Sequence, residues 1–134
     1  MIDLVDIIKS TKNMKLLYVE DNQEARETTK LILEEFFDNI IVAIDGQDGY
    51  EKFKDNDIDL IITDINMPKL NGLEMISKVR EVDNNVSVLI LSAHNEPEFL
   101  DYSIRLCIDS YLLKPIDIDL FLEALTKVTT KHKS

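Results

Sequence analysis

Apolar residues along the chain fall into two alternating patterns. Short runs at residues 16–19, 40–44, 60–63, 86–91 and 111–113 have the length and branched-residue content of strands. The first, third and fourth are apolar on consecutive residues, as strands covered on both faces require. The segments between them carry apolar residues at helical spacing. Residues 22–37 set Ala25, Thr28, Thr29, Ile32 and Phe36 on one face, and residues 48–53 place Tyr50 and Phe53 three apart after an Asp45-Gly46 turn. Residues 72–82 step through Leu73, Ile76 and Val79, with Glu74, Lys78 and Glu81 facing water. Residues 95–107 hold Pro97 in their first turn, where its missing N–H is harmless. Residues 117–131 open on Asp117 and end with Lys127 and Lys131, charges that complement the helix dipole.

Five such units in succession predict an α/β domain, a doubly wound parallel sheet of five strands flanked by five helices. The common order for such a sheet is 2-1-3-4-5. Residues 1–14 stand outside the repeat. Leu4, Val5 and Ile8 among Asp3, Asp6 and Lys9 predict an amphipathic helical turn or two, an extension packed on or frayed from a domain spanning 15–134. An interaction helix, or the remnant of a larger chain, is the alternative.

Composition narrows the function. A chain of 134 residues that is 45% hydrophobic can bury one core but not two of ordinary size. Its net charge of −11 argues against direct nucleic-acid binding, which needs a basic face. No apolar run approaches the ~20 residues of a membrane span, and residues 1–10 lack the basic lead-in and apolar block of a secretory signal. Cys107, the one cysteine, excludes an intrachain disulfide and Cys-rich zinc sites and suits a reducing cytoplasm. It is expected to pack as a small hydrophobe rather than to act as a redox sensor.

The polar residues that matter lie where the predicted strands end. The first strand runs into Glu20-Asp21, the third into Asp64, the fourth into Ser92 and the fifth into Lys114-Pro115. In open parallel sheets ligands bind outside these ends, and the 2-1-3-4-5 order sets strands one, three, four and five side by side. Glu20, Asp21 and Asp64 would repel one another in such a crevice unless a cation offset them. Mg²⁺ suits two or three carboxylates with a backbone carbonyl, for which Asn66 is the candidate because Pro68 forces its loop out of the strand. Lys114 can pair with Asp64 or neutralise a bound anion, and a Lys-Pro bond at a tight strand exit is a candidate cis peptide. Ser92 can donate to an anionic oxygen. Taken singly, each has an ordinary reading: a helix cap for the acidic pair or the serine, a solvated surface group for the lysine. Together they hold the parts of a phosphoryl acceptor, a carboxylate nucleophile with a cation and two donors.

The segments LLYVED, LIITDINMPKLNGLEMI, VLILSAH and YLLKP stand in the order found in the receiver domain of two-component response regulators, and the chain resembles that chemotaxis-regulator-like superfamily over residues 15–131. The resemblance implies a flavodoxin-like fold with Asp64 as phosphoacceptor, Glu20 and Asp21 as the acidic pair for Mg²⁺ joined by the Asn66 carbonyl, and Lys114 on the phosphoryl group. It makes Ser92 the switch hydroxyl, Tyr111 the switch aromatic, and Gly72 the glycine opening the third helix of the family fold. His94 and Asn66 flank the expected phosphoryl path. Where many receivers carry Gly-Ala before the fifth strand this chain has Cys107-Ile108, which removes the preferred left-handed helix stop.

The implied function is a signalling switch rather than an enzyme with an outside substrate. It would be phosphorylated by a sensor histidine kinase or phosphotransfer protein, act as a monomer or weak dimer in the cytoplasm, and catalyse only its own phosphorylation and dephosphorylation. No DNA-binding or catalytic segment follows residue 131, so a stand-alone receiver and a portion of a longer protein both remain open. Two alternatives differ in class. A phosphohydrolase of the haloacid-dehalogenase type needs its nucleophile on the first strand and a second aspartate where Asn66 stands; a degenerate scaffold would have lost a pocket residue.

Overall fold

The computed structural model describes residues 3–93 and 96–133. In chain order the elements are α1 (Leu4–Thr11), β1 (Lys15–Val19), α2 (Gln23–Leu33), β2 (Asn39–Ala43), α3 (Gly46–Asp55), β3 (Leu60–Thr63), α4 (Gly72–Val82), β4 (Ser87–Ser92), α5 (Pro97–Arg105), β5 (Ser110–Leu113) and α6 (Ile118–Lys133). All strand pairs are parallel and the order is β2-β1-β3-β4-β5, as expected. The sixth helix is α1, contributed by the N-terminal segment.

Strand alternation divides the core between the two faces of the sheet. Leu16 and Tyr18 of β1, Leu60 and Ile62 of β3, and Leu89 and Leu91 of β4 join Leu33, Phe36, Phe121, Leu125 and Val128 on one face. Leu17, Val19, Ile61, Val88 and Ile90 face the other way, onto Phe53, Leu73, Met75, Ile76 and Val79. The α2 stripe lies where expected at Ala25, Thr29, Ile32 and Phe36, but Thr28 is exposed and Leu33 is fully buried in its place, because a leucine buries more apolar surface than a threonine can.

Two aspartates set the strand register at the N-terminal edge. Asp59, just before β3, donates its N–H to the Lys15 carbonyl (2.9 Å) and accepts the Lys15 N–H on Oδ2 (2.8 Å). Asp109, just before β5, does the same with Val88 (2.9 and 2.8 Å).

The α5–β5 junction corrects the expectation for Cys107. The residue is exposed, not packed, and takes the left-handed conformation (φ 57°) that glycine would have supplied. Arg80 of α4 holds the junction: Nε donates to the Leu106 carbonyl (2.8 Å), Nη2 to Cys107 (3.2 Å) and Nη1 to Val86 (2.8 Å). Charge-assisted bonds of this kind offset the ~1–2 kcal/mol that a Cβ costs in that region.

Helix α1 is docked rather than frayed. Asp3 caps it through the Val5 N–H (2.9 Å), Ile7 is 5% exposed within the α6-side core, and the buried Thr11 hydroxyl donates to the Phe36 carbonyl (2.6 Å). Deleting residues 1–12 would open the cavity that Ile7 fills and strip the Phe36 carbonyl of its donor. The expected cost is about 2–4 kcal/mol by urea unfolding; an unchanged midpoint would mean that α1 lies on the core without supporting it.

Candidate functional site

The register brings the strand ends together. Val19 of β1 is paired with Thr63 of β3, so Glu20 and Asp64 leave adjacent strands at one level, and the Asp64 N–H still reaches the Val19 carbonyl (3.2 Å). Ser92 of β4 is paired with Leu113 of β5, and its carbonyl accepts the Lys114 N–H (2.8 Å). The Lys114–Pro115 peptide is cis.

Lys114 extends across the end of β4 to both acids, its Nζ lying 2.7 Å from Glu20 Oε1 and 3.0 Å from Asp64 Oδ2. Glu20 is 2% exposed, and its second oxygen accepts the Asn22 N–H (3.2 Å). Asp64 Oδ1 accepts the N–H of Ile65 (2.6 Å). Burial pushes the Glu20 carboxyl up, with the Asp64 charge adding to the rise and Lys114 and the Asn22 amide opposing it. Burial draws the Lys114 ammonium down, but its bonds to Glu20 and Asp64 outweigh that and its pKa rises. The two directions agree physically: the lysine sees two anions, whereas Glu20 sees one cation and a second anion.

The loop carrying Asp64 is pressed against its neighbours. The Gly72 N–H closes it onto the Ile65 carbonyl (2.7 Å), and a Cβ on Gly72 would overlap the Asp64 carbonyl. Gly46 gives the Leu70 carbonyl the same clearance. Lys69 turns the chain with φ 69° and its Nζ lies 3.6 Å from the buried carboxylate of Asp45, the N-cap of α3.

Asp21 and Asn66 are exposed at the rim. Sequence reasoning passed over Arg26, whose Nη1 donates to the carbonyls of Glu20 (2.9 Å) and Asp21 (3.3 Å). It also missed the buried Tyr18 phenol, which has no partner in hydrogen-bonding geometry among the described residues. Burial pushes that phenol up to about 12, with Thr29 opposing. Ser92 is fully buried, on the sheet face of Val88 and Ile90, and Tyr111, paired with Ile90, lies half-buried on the same side. Burial raises the Tyr111 phenol, and a hydrogen bond with the Ser92 side chain opposes the rise. His94 and Asn95 lie outside the described residues.

Among the described residues no three acidic, histidine or cysteine side chains are gathered as a ready-made ion cage, and Lys114 is bonded to both Glu20 and Asp64. The donors at the rim are nevertheless all oxygen, carboxylates with a loop carbonyl. That chemistry fits a hard divalent cation such as Mg²⁺ and no soft metal.

An acidic crevice at the C-terminal edge of a 2-1-3-4-5 sheet, spanned by one lysine from the last strand, defines a receiver-type signalling domain. The chain belongs to the response regulator receiver domain family, whose model matches residues 16–126. It is 32% identical over 117 residues to the chemotaxis protein CheY of Treponema pallidum (strain Nichols), covering 85% of this chain and 81% of that protein. The N-terminal domain of an uncharacterized protein from Wolinella succinogenes superposes with a TM-score of 0.82 at 34% identity, covering 90% of this chain and 97% of the other. The response regulator protein TrrA of Thermotoga maritima, solved in complex with Mg²⁺ and beryllofluoride, gives a TM-score of 0.76 at 29% identity, covering 86% and 98%. The phosphohydrolase alternative is not favoured: Asp64 follows the third strand, not the first, and Asn66 stands where a second aspartate is needed.

Removing the lysine charge tests the balance. Lys114→Met is expected to cost about 2 kcal/mol near neutral pH, because Glu20 and Asp64 then face each other without a cation. With Glu20 raised further above its unfolded value, the deficit is smallest below the unfolded carboxylate range and grows as pH rises through the folded pKa of Glu20. A deficit in urea midpoint that is flat across that window would remove Glu20 from the account.

Proposed function

We propose that Asp64 accepts a phosphoryl group from a phosphohistidine on a sensor histidine kinase or phosphotransfer protein, and that the chain is a phosphorelay switch. The observation that carries this reading is the single ammonium of Lys114 joined to both Glu20 and Asp64. A carboxylate oxygen of Asp64 attacks phosphorus, the bond from phosphorus to the donor nitrogen breaks, and an acyl phosphate remains. Lys114 then balances charge on the phosphoryl oxygens. The residues that would hold Mg²⁺ are Glu20, Asp21, Asp64 and the Asn66 carbonyl, and the ion would supply further neutralisation of those oxygens. The chain catalyses only its own phosphorylation and dephosphorylation, and it acts in the cytoplasm as a monomer or weak dimer on a protein target. In this reading residues 15–134 form the receiver and 1–14 are an added helix.

The output step begins at Ser92. A phosphoryl group brings strong acceptor oxygens to Asp64, and the Ser92 hydroxyl turns toward one of them, leaving its bond with Tyr111. The ring then resettles against the β4–α5 side of the sheet, changing the surface of α5, β5 and α6. Ring burial of ~1–2 kcal/mol suffices for a roughly tenfold population shift.

Intact mass after incubation with Mg²⁺ and acetyl phosphate should show one added phosphoryl group in the native chain and none in Asp64→Asn, since an amide cannot form the mixed anhydride. An undiminished gain in that variant would refute Asp64 as acceptor. Ser92→Ala should keep the phosphoryl gain but lose most of the NMR response of Tyr111 to beryllofluoride; a response equal to the native one would break the link from hydroxyl to ring.

A further inference from the structure

Arg26 breaks a local rule. Asn22 caps α2, its side chain accepting the Ala25 N–H (2.8 Å), so Arg26 is the fourth residue of the helix. A cation there sits near the positive end of the helix dipole, where an acid is favoured. It makes no ion pair with any carboxylate among the described residues. Its guanidinium instead folds back over the helix start, one nitrogen reaching two consecutive carbonyls, Glu20 O at 2.9 Å and Asp21 O at 3.3 Å. In an extended strand successive carbonyls point to opposite edges, so one donor gathering both fixes the bend at which β1 ends and the acidic pair begins. Glu20 needs no such help, being held by Lys114 and the Asn22 amide. Asp21 is exposed, and the bond to its carbonyl is what ties its backbone toward α2.

We infer that Arg26 is a positioning residue for the divalent cation: its bonds to the Glu20 and Asp21 carbonyls fix the backbone turn from which the Asp21 carboxylate is presented. The inference rests on the reading of Glu20, Asp21 and Asp64 as the Mg²⁺-holding acids. Local departures from helix preference are expected at functional sites, and this one places a fixed donor behind a metal-binding turn.

Charge and position make opposite demands, which gives the test its sign. If Arg26 acted only as a nearby cation, removing it would relieve repulsion and tighten Mg²⁺ binding. If it positions the turn, removal loosens binding despite that relief. Mg²⁺ titration by isothermal calorimetry, and by the amide shifts of Asp21 and Asn22, is expected to show affinity falling roughly tenfold in Arg26→Met and less in Arg26→Lys, which keeps a donor but on a shorter side chain. Acetyl phosphate labelling of Arg26→Met should recover at high Mg²⁺. Equal or tighter Mg²⁺ binding in Arg26→Met would overturn the inference. Should Arg26→Met fail to fold, Arg26→Lys at native affinity would do the same. A native chain that binds no Mg²⁺ would overturn the reading of the acids themselves, a separate result.

Discussion

The pocket depends on a charge balance struck by one side chain. Parallel strands that end at the same level deliver Glu20 and Asp64 to adjacent positions, with Asp21 at the rim, and the fold can keep them there only because an ammonium lies between two of them. That ammonium comes from β5, which is not a neighbour of β3. The four-carbon stem of Lys114 crosses the end of β4 to reach the acids, a span that no shorter cation could make. One residue thus ties β1, β3 and β5, and the strand order that creates the repulsion also supplies its remedy.

Close backbone approach serves the same end. The loop after Asp64 has little freedom, since Gly72 lies against the Asp64 carbonyl and Gly46 against that of Leu70. Packing of this kind holds Asp64 by sterics as well as by its hydrogen bonds, and it lets the N-terminus of α3 brace a loop from the next unit. The bottom of the sheet uses polar clamps instead, Asp59 and Asp109 each exchanging two bonds with the neighbouring strand.

The strands and their order were legible because β1, β3 and β4 are apolar on successive residues, a signal that survives any error in helix boundaries. The placement of Glu20, Asp64, Ser92 and Lys114 at one edge of the sheet was legible because each ends or follows an apolar run. Features that rest on backbone geometry were not. Nothing in the sequence around Lys69 marks a left-handed residue, and at Cys107 only the resemblance, which puts a glycine there, pointed to one that the cysteine nonetheless adopts. One member of the α2 stripe was misplaced because Thr28 and Leu33 both fit a helical period, and only packing against the sheet chooses between them. Arg26 did leave a trace, a cation at the wrong end of a helix, visible only once the helix start is fixed at Asn22. For α1, amphipathic spacing revealed a helix but not the Thr11 bond that seats it.

Helix α5 is held very unevenly. Ser103 is its one buried residue among those described, Ile104 is 75% exposed, and the firm contacts lie at its C-terminal junction, where Arg80 grips the carbonyls of Leu106 and Cys107. Its first turn has no side-chain cap. Toward its other end the Phe99 side chain rests against the core, so α5 is joined to the sheet at two points by few side chains. A helix seated so lightly can be re-seated at little loss of buried apolar surface, unlike α4, whose Leu73, Met75, Ile76 and Val79 are all buried.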